Sequence, residues 1–309
     1  FYTRDLLSRV KIVRPLKVVL NAGNGTAGAI VPKILQTAGC NVIELHTNLD
    51  WNFPHYFPNS SLVEMMEDTG KKVVEEGADI GLAIDGDGDR LGGTDEKGNN
   101  IFPDRYLILL ARQVLAKIPR AKIIFDVKST QALEDDVKAH GGVPIMWITG
   151  HSYIKAKLWE ENAPLAGENS GHIFFGKPFY FGFDDAIFTA LKLLEYLAAQ
   201  RQTFSQIMAG VPRYVATPTL HADCDDEVKY EVIEKLTQEF KDEGYEVIDI
   251  NGARVKFADG WGLVRASSNL PVLVLRFEAK TQEKLEEIQK IFREKLDKYP
   301  EIGKEWHSG

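Results

Sequence analysis

Asp79-Ile80-Gly81-Leu82-Ala83-Ile84-Asp85-Gly86-Asp87-Gly88-Asp89-Arg90 runs from an apolar stretch straight into three alternating carboxylates. Residues 79–84 read as a strand that ends at the acidic loop. Upstream, residues 62–76 have helical spacing. Further back, Lys17-Val18-Val19-Leu20 is a strand candidate that enters Asn21-Ala22-Gly23-Asn24-Gly25-Thr26-Ala27-Gly28. A helix toward Gly39 and a strand over 41–45 follow. Strand and helix alternate, which predicts an α/β layer over residues 1–104.

Downstream, residues 106–116, 131–140 and 153–161 read as helices, with strands over 121–127 and 143–148. The turn Gly167-Glu168-Asn169-Ser170-Gly171-His172 leads into Ile173-Phe174-Phe175, and residues 186–200 read as a long helix with a buried side. This second α/β layer covers residues 105–210. From 211 to 309 the rhythm changes. Helices are predicted over 227–242 and 282–298, the latter with the stripe Leu285, Ile288, Ile291, Phe292 and Leu296. Between them, residues 245–250, 253–257, 263–265 and 272–277 suggest a small antiparallel sheet. The predicted fold class is α/β: two consecutive mixed-sheet α/β domains, then a smaller α+β domain with an antiparallel sheet and two helices.

Asp85, Asp87 and Asp89 would repel one another if brought together without a cation. Gly86 and Gly88 let the backbone curl so that alternate side chains converge. A magnesium ion suits such a set of oxygens, and Arg90 could hold phosphate oxygens beside it. A solvent-exposed acidic turn is the plain alternative. A calcium loop starting at Asp85 places Asp87, Asp89 and Glu96 at its third, fifth and twelfth positions, but puts Arg90 where the sixth-position glycine belongs. It also follows a strand rather than a helix, which rejects that reading.

The loop Gly23–Gly28 has the spacing of a dinucleotide fingerprint, with Glu44 as a ribose acid, so an NAD-binding dehydrogenase is one alternative. A tight strand–helix turn beside the active cleft is the favoured reading. Lys128, His151, Glu168, Ser170 and His172 fall in turns or just beyond strands. Glu168 can accept hydroxyl hydrogens, Ser170 can donate or accept, and Lys128 and His151 can supply positive charge or proton transfer. Each alone has an ordinary structural reading as a cap, a solvated charge or a turn residue. Arg265-Ala266-Ser267-Ser268-Asn269 combines a guanidinium with small polar residues that could embrace a phosphate or simply form a polar hairpin. Phe179 to Phe183 and Trp261 read mainly as core aromatics rather than a ligand surface.

The chain has 309 residues, 44% of them hydrophobic, which suits two or three globular domains. Its 45 acidic residues against 37 Lys and Arg give a net charge of -8, and no basic stripe points to nucleic acid. Cys40 and Cys224 do not make a disulfide scaffold. No membrane helix or signal peptide is visible. A reduced, cytoplasmic setting is expected. The opening Phe1-Tyr2-Thr3-Arg4-Asp5 reads as a helix entering from sequence not present here.

Taken together, Asp85–Arg90, Asp126-Val127-Lys128, Gly150-His151-Ser152-Tyr153-Ile154-Lys155, Gly167–His172 and Gly262-Leu263-Val264-Arg265-Ala266-Ser267 resemble the α-D-phosphohexomutase superfamily, in particular its bacterial phosphomannomutase/phosphoglucomutase branch. The resemblance runs through nearly the whole chain. It implies reversible interconversion of hexose 1-phosphate and hexose 6-phosphate (mannose or glucose) through a hexose 1,6-bisphosphate. Asp85, Asp87 and Asp89 would bind Mg2+, with Arg90, Lys128 and His151 at the reacting side. Glu168 and Ser170 would contact sugar hydroxyls, His172 would shape their loop, and Arg265, Ser267, Ser268 and Asn269 would receive the non-reacting phosphate. The family pattern has Asn then Thr where this chain has Ser268 and Asn269. The resemblance further implies a first domain bearing a phosphoserine, and no such serine segment is seen in this sequence. The expectation is a monomeric chain matching the second, third and fourth domains and inactive alone. A nonenzymatic magnesium- or phosphosugar-binding fragment is the other alternative.

Overall fold

A computed structural model describes residues 1–308. The chain divides into two compact units, one of residues Phe1–Met146 with Gly150–Pro212 and one of residues 147–149 with the segment from Arg213 onward.

The first unit holds two sheets. After α1 (Tyr2–Ser8) come β1 (Lys17–Asn21), a 3-10 turn (Thr26–Ala29), α2 (Val31–Thr37), β2 (Asn41–Leu45), α3 (Val63–Glu76), β3 (Ile80–Ile84), β4 (Leu91–Thr94) and β5 (Asn100–Ile101). The strands lie in the order β2-β1-β3-β4-β5. β1 pairs in parallel with β2 and β3, and β3–β4 and β4–β5 are antiparallel. Every residue of β3 is buried, which suits a central strand without polar alternation.

The second sheet follows α4 (Pro103–Leu115) and comprises β6 (Lys122–Asp126), β7 (Val143–Trp147), β8 (Leu165–Gly167) and β9 (Ile173–Phe175), in the order β7-β6-β8-β9. Between and after these strands lie α5 (Gln131–Ala139), α6 (His151–Glu160), α7 (Ala186–Ala198) and α8 (Phe204–Ala209). Thr130 caps α5 by accepting from the Ala132 N–H, and Asp185 caps α7 through the Phe188 N–H.

The second unit contains β10 (Val215–Ala216), β11 (Leu220–Asp223), α9 (Lys229–Asp242), β12 (Glu246–Ile248), β13 (Ala253–Phe257), β14 (Gly260–Ala266), β15 (Val272–Ala279), α10 (Gln282–Leu296) and β16 (His307–Ser308). Its sheet has seven strands, larger than the four-strand reading of the sequence. Phe240, Phe277 and Phe292 are fully buried in the core under α9 and α10.

The expected mixed α/β layers and the terminal antiparallel sheet with two helices are all present. The short strands β4, β5, β8, β10, β11 and β16 and the helix α8 were not foreseen, because segments of two to six residues carry too little periodicity. The aromatic reading needs one correction. Tyr180 and Trp261 are buried, but Phe181 and Phe183 are exposed and stack in parallel with ring centroids 6.0 Å apart. Both cysteines are buried free thiols. Among the described residues, no helix is long and apolar enough to cross a membrane.

Candidate active site

β3 delivers Asp85 as a fully buried carboxylate, and the following loop wraps round it. Asp85 Oδ1 accepts the N–H groups of Gly88, Asp89 and Arg90 at 3.2, 3.1 and 3.0 Å. Its Oδ2 lies 2.5 Å from Arg90 Nε. Gly88 adopts φ +87°, a left-handed conformation that closes the curl. Asp87 is exposed and Asp89 half-buried, and one oxygen from each of the three carboxylates lies within 4.8 Å of the others. Burial, opposed by His172 and reinforced by the charges of Asp85 and Asp87, pushes the Asp89 carboxyl up to about 6. A cluster of hard oxygen donors whose charges oppose one another fits a compact divalent cation such as Mg2+.

The glycine loop sits directly against this site. Thr26 donates its N–H and its hydroxyl to the Gly86 carbonyl at 3.2 and 2.6 Å. A Cβ on Gly25 would stand 3.0 Å from Gly86 Cα, and one on Gly28 would stand 2.1 Å from the Thr47 carbonyl oxygen. These glycines therefore serve close backbone approaches within the fold. Asn21 sets the turn: its Oδ1 accepts the Gly23 N–H, while its amide donates to Tyr56 Oη and Thr69 Oγ1. Glu44 accepts the hydroxyl of Thr47 at 2.6 Å. The expected tight strand–helix turn is what the backbone forms, and it lies against the acidic loop.

The Gly167–His172 turn is fastened to the acidic loop. Arg90 and His172 form an isolated antiparallel bridge, and the Leu91 N–H donates to the Gly171 carbonyl at 3.2 Å. Glu168 is 2% exposed and accepts the Gly150 N–H on Oε1 and, at 3.4 Å, the Ser170 hydroxyl on Oε2. Burial and the charge of Asp126 push the Glu168 carboxyl up, and Lys128 is near enough to pull it the other way. Lys128 itself is half-buried in the turn after β6. His151 begins α6 earlier than its helical spacing suggests, and its ring stacks on His172 with centroids 5.4 Å apart. Asp85, Asp87, Asp89, Arg90, Lys128, His151, Glu168, Ser170 and His172 thus all belong to one compact unit.

In the second unit, Arg265 is the penultimate residue of β14 and is 7% exposed. Ser267 is buried, and its Oγ accepts the N–H groups of Asn269 and Leu270 at 3.3 and 3.2 Å. Ser268 and Asn269 are exposed. The loop has the form of a tight polar turn with a guanidinium at its base.

Several residues at these sites were given no role in the sequence reading. Asn59 accepts from Arg90 Nη1 at 3.3 Å, and Asp126 accepts the Ser129 hydroxyl and the Asn169 N–H. Asp184 lies 3.1 Å from Lys155 Nζ, 3.1 Å from His172 Nδ1 and 3.5 Å from His151 Nδ1. Burial opposes its ionisation, yet His172 and Lys155 hold its carboxyl well below the usual range. Its only sequence cue is the acidic pair Asp184-Asp185 after an aromatic run, which does not tell a cap from a site residue.

Fold and site together define an α/β chain that ends in an α+β domain and bears a loop on which three carboxylates converge. Descriptions of phosphoglucomutase/phosphomannomutase α/β/α domain II, α/β/α domain III and the C-terminal domain match residues 1–98, 102–214 and 221–295 in that order. A phosphomannomutase/phosphoglucomutase from Pseudomonas putida is 45% identical over 295 residues, covering 96% of this chain and 64% of the relative. A phosphoglucomutase from Neisseria gonorrhoeae is 43% identical over 303 residues, covering 97% of this chain and 65% of the relative. A crystal structure of a phosphoglucomutase/phosphomannomutase family protein from Burkholderia thailandensis superposes with a TM-score of 0.90 at 44% identity, over 96% of this chain and 63% of that one. The chain belongs to the phosphoglucomutase/phosphomannomutase family. It spans a little under two thirds of the length of these relatives.

Proposed function

We propose that the whole protein interconverts hexose 1-phosphates and hexose 6-phosphates of mannose and glucose, as a monomer in the cytoplasm. The observation that carries this reading is the convergence of Asp85, Asp87 and Asp89 within 4.8 Å, tied through the Arg90–His172 bridge to the Glu168–Ser170 turn. A cation site and a hydroxyl-binding turn held in one frame are what phosphoryl transfer to a sugar needs.

In this proposal residues 1–104 form a metal-binding domain, 105–210 a sugar-recognition domain and 211–309 a phosphate-binding domain. Asp85, Asp87 and Asp89 hold Mg2+, which when bound offsets charge on the phosphoryl oxygens. Arg90 steadies the transferring group. Lys128 supplies positive charge and His151 moves the proton of the reacting hydroxyl. Glu168 accepts hydrogens from sugar hydroxyls, Ser170 completes that contact, and His172 shapes the loop. Arg265, Ser267, Ser268 and Asn269 receive the phosphate that is not reacting. A phosphoserine on a domain additional to these 309 residues is the phosphoryl carrier. A hexose 1,6-bisphosphate forms, turns round and returns its other phosphate to that serine.

The test is an assay of the protein joined to such a serine-bearing domain, with glucose 1-phosphate and mannose 1-phosphate as substrates. Magnesium-dependent formation of the 6-phosphates is expected, with loss of most activity in Asp87→Asn. The 309-residue chain alone should bind a hexose phosphate without turning it over. Robust turnover by this chain alone overturns the assignment of the carrier. Saturable NAD binding without phosphosugar binding, an outcome that the close packing of Gly25 and Gly28 already disfavours, overturns the mutase reading.

A further inference from the structure

One carboxylate oxygen faces two imidazoles. Asp184 Oδ2 lies 3.1 Å from His172 Nδ1 and 3.5 Å from His151 Nδ1, and the two rings are stacked with 23° between their planes. His172 Nδ1 and Asp184 Oδ2 are both shut off from solvent, and neither has an aligned hydrogen-bond partner among the described residues. Asp89 Oδ2, the next carboxylate oxygen, is 3.6 Å from the same His172 nitrogen. A neutral imidazole has one N–H and one bare nitrogen, and the nitrogen that faces a carboxylate keeps the hydrogen. We propose that Asp184 is a positioning residue that holds both His172 and His151 in the Nδ1–H tautomer, leaving Nε2 of each ring as the proton-accepting atom.

Asp89, His172 and Asp184 could also be read as a second cation site. Lys155 Nζ, 3.1 Å from Asp184 Oδ1, already neutralises that carboxylate and would repel a further cation. Asp184 is itself held in place. Its backbone bridges Phe174, and its neighbour Asp185 takes the hydroxyls of Tyr2 and Tyr180 and the Phe188 N–H. The adjacent acids therefore divide the work, Asp185 anchoring the turn and Asp184 addressing the rings.

The inference deepens the proposed function and rests on it only for the use made of the Nε2 atoms. Its test needs no turnover. Nitrogen-15 NMR of the 309-residue chain, labelled at histidine and measured at alkaline pH where both rings are neutral, reads each tautomer directly. The unaltered chain should show a protonated Nδ1 and a bare Nε2 at His151 and His172, and Asp184→Asn should move both rings toward the opposite tautomer. Asp185→Asn should lower stability and leave both tautomers as they were. A bare Nδ1 at either ring in the unaltered chain overturns the proposal, whether or not the variants fold. Unchanged tautomers in a folded Asp184→Asn chain overturn it as well. In the whole enzyme Asp184→Asn should lower kcat with little change in KM, and Asp184→Glu should restore part of the loss.

Discussion

The acidic loop after β3 and the polar loop after β14 both follow buried strands, yet they are fixed by different means. The first is restrained from several sides. Asp85 gathers its own backbone, Thr26 and Pro58 hold Gly86, the Gly171 carbonyl takes the Leu91 N–H, and the Gly88 carbonyl takes the Ala186 N–H. The second is closed on itself by Ser267, whose hydroxyl oxygen and backbone N–H hold Leu270 and Val272, with Lys229 Nζ on the Leu270 carbonyl and the Cys224 N–H on the Pro271 carbonyl as its restraints from outside. Charge explains the difference. Three carboxylates repel one another and stay together only under restraint from outside, whereas a loop of N–H donors and one guanidinium has no such repulsion to overcome.

The strongest attempt to break this contrast is Asp85→Ala, which strands Arg90 and three loop N–H groups. Removing one partner of a buried pair should cost about 3 kcal/mol, read from denaturant unfolding of the chain. A loss near zero would mean that neighbouring segments alone hold the loop. Next in size is Gly171→Ala. The residue has φ +104°, and an added Cβ would stand 3.0 Å from the Leu91 carbonyl, so about 2 kcal/mol should be lost. Ser268→Ala at the exposed tip of the other loop should stay within about 0.5 kcal/mol.

Acidity sharpens the comparison further. With its carboxyl raised to about 6, Asp89 stabilises the metal-free fold most below its unfolded range, and that contribution is lost as the pH rises through about 6. A cation needs the ionised form. Magnesium affinity should therefore climb by up to about tenfold per pH unit below that value and level off above it. Calorimetry in buffers of different ionisation heat should show proton release on binding at the acid end and none at the alkaline end. A flat profile would remove Asp89 from the cation set. A modest effect, larger than that of Ser268→Ala, is expected from Ser267→Ala, which unpairs the Asn269 and Leu270 N–H groups for about 1 kcal/mol. Phosphate binding by the chain, measured by calorimetry, should weaken alongside it.

Much of this molecule was legible from local pattern. The apolar run into Asp85 became a buried central strand, and the alternation of Asp and Gly became a curl around the first carboxylate. The long helices α3, α7, α9 and α10 matched their spacing because many turns of periodicity accumulate in each. Asn21 and Asn59 were not legible. Each acts on a partner more than ten residues away, and an asparagine near a turn reads first as turn chemistry. Asp184 and Asp185 show the limit most clearly, since two identical neighbours face different partners.

By itself the sequence determined the α/β layers, the acidic turn and the glycines that let it form, because periodicity and backbone freedom act between near neighbours. Only the tertiary structure decided that Thr26, Pro58 and Gly171 clamp that turn and that Asp184 faces two histidine rings. Those contacts join residues far apart along the chain, and a short-range pattern carries no record of which distant groups a folded backbone will bring within a few ångströms.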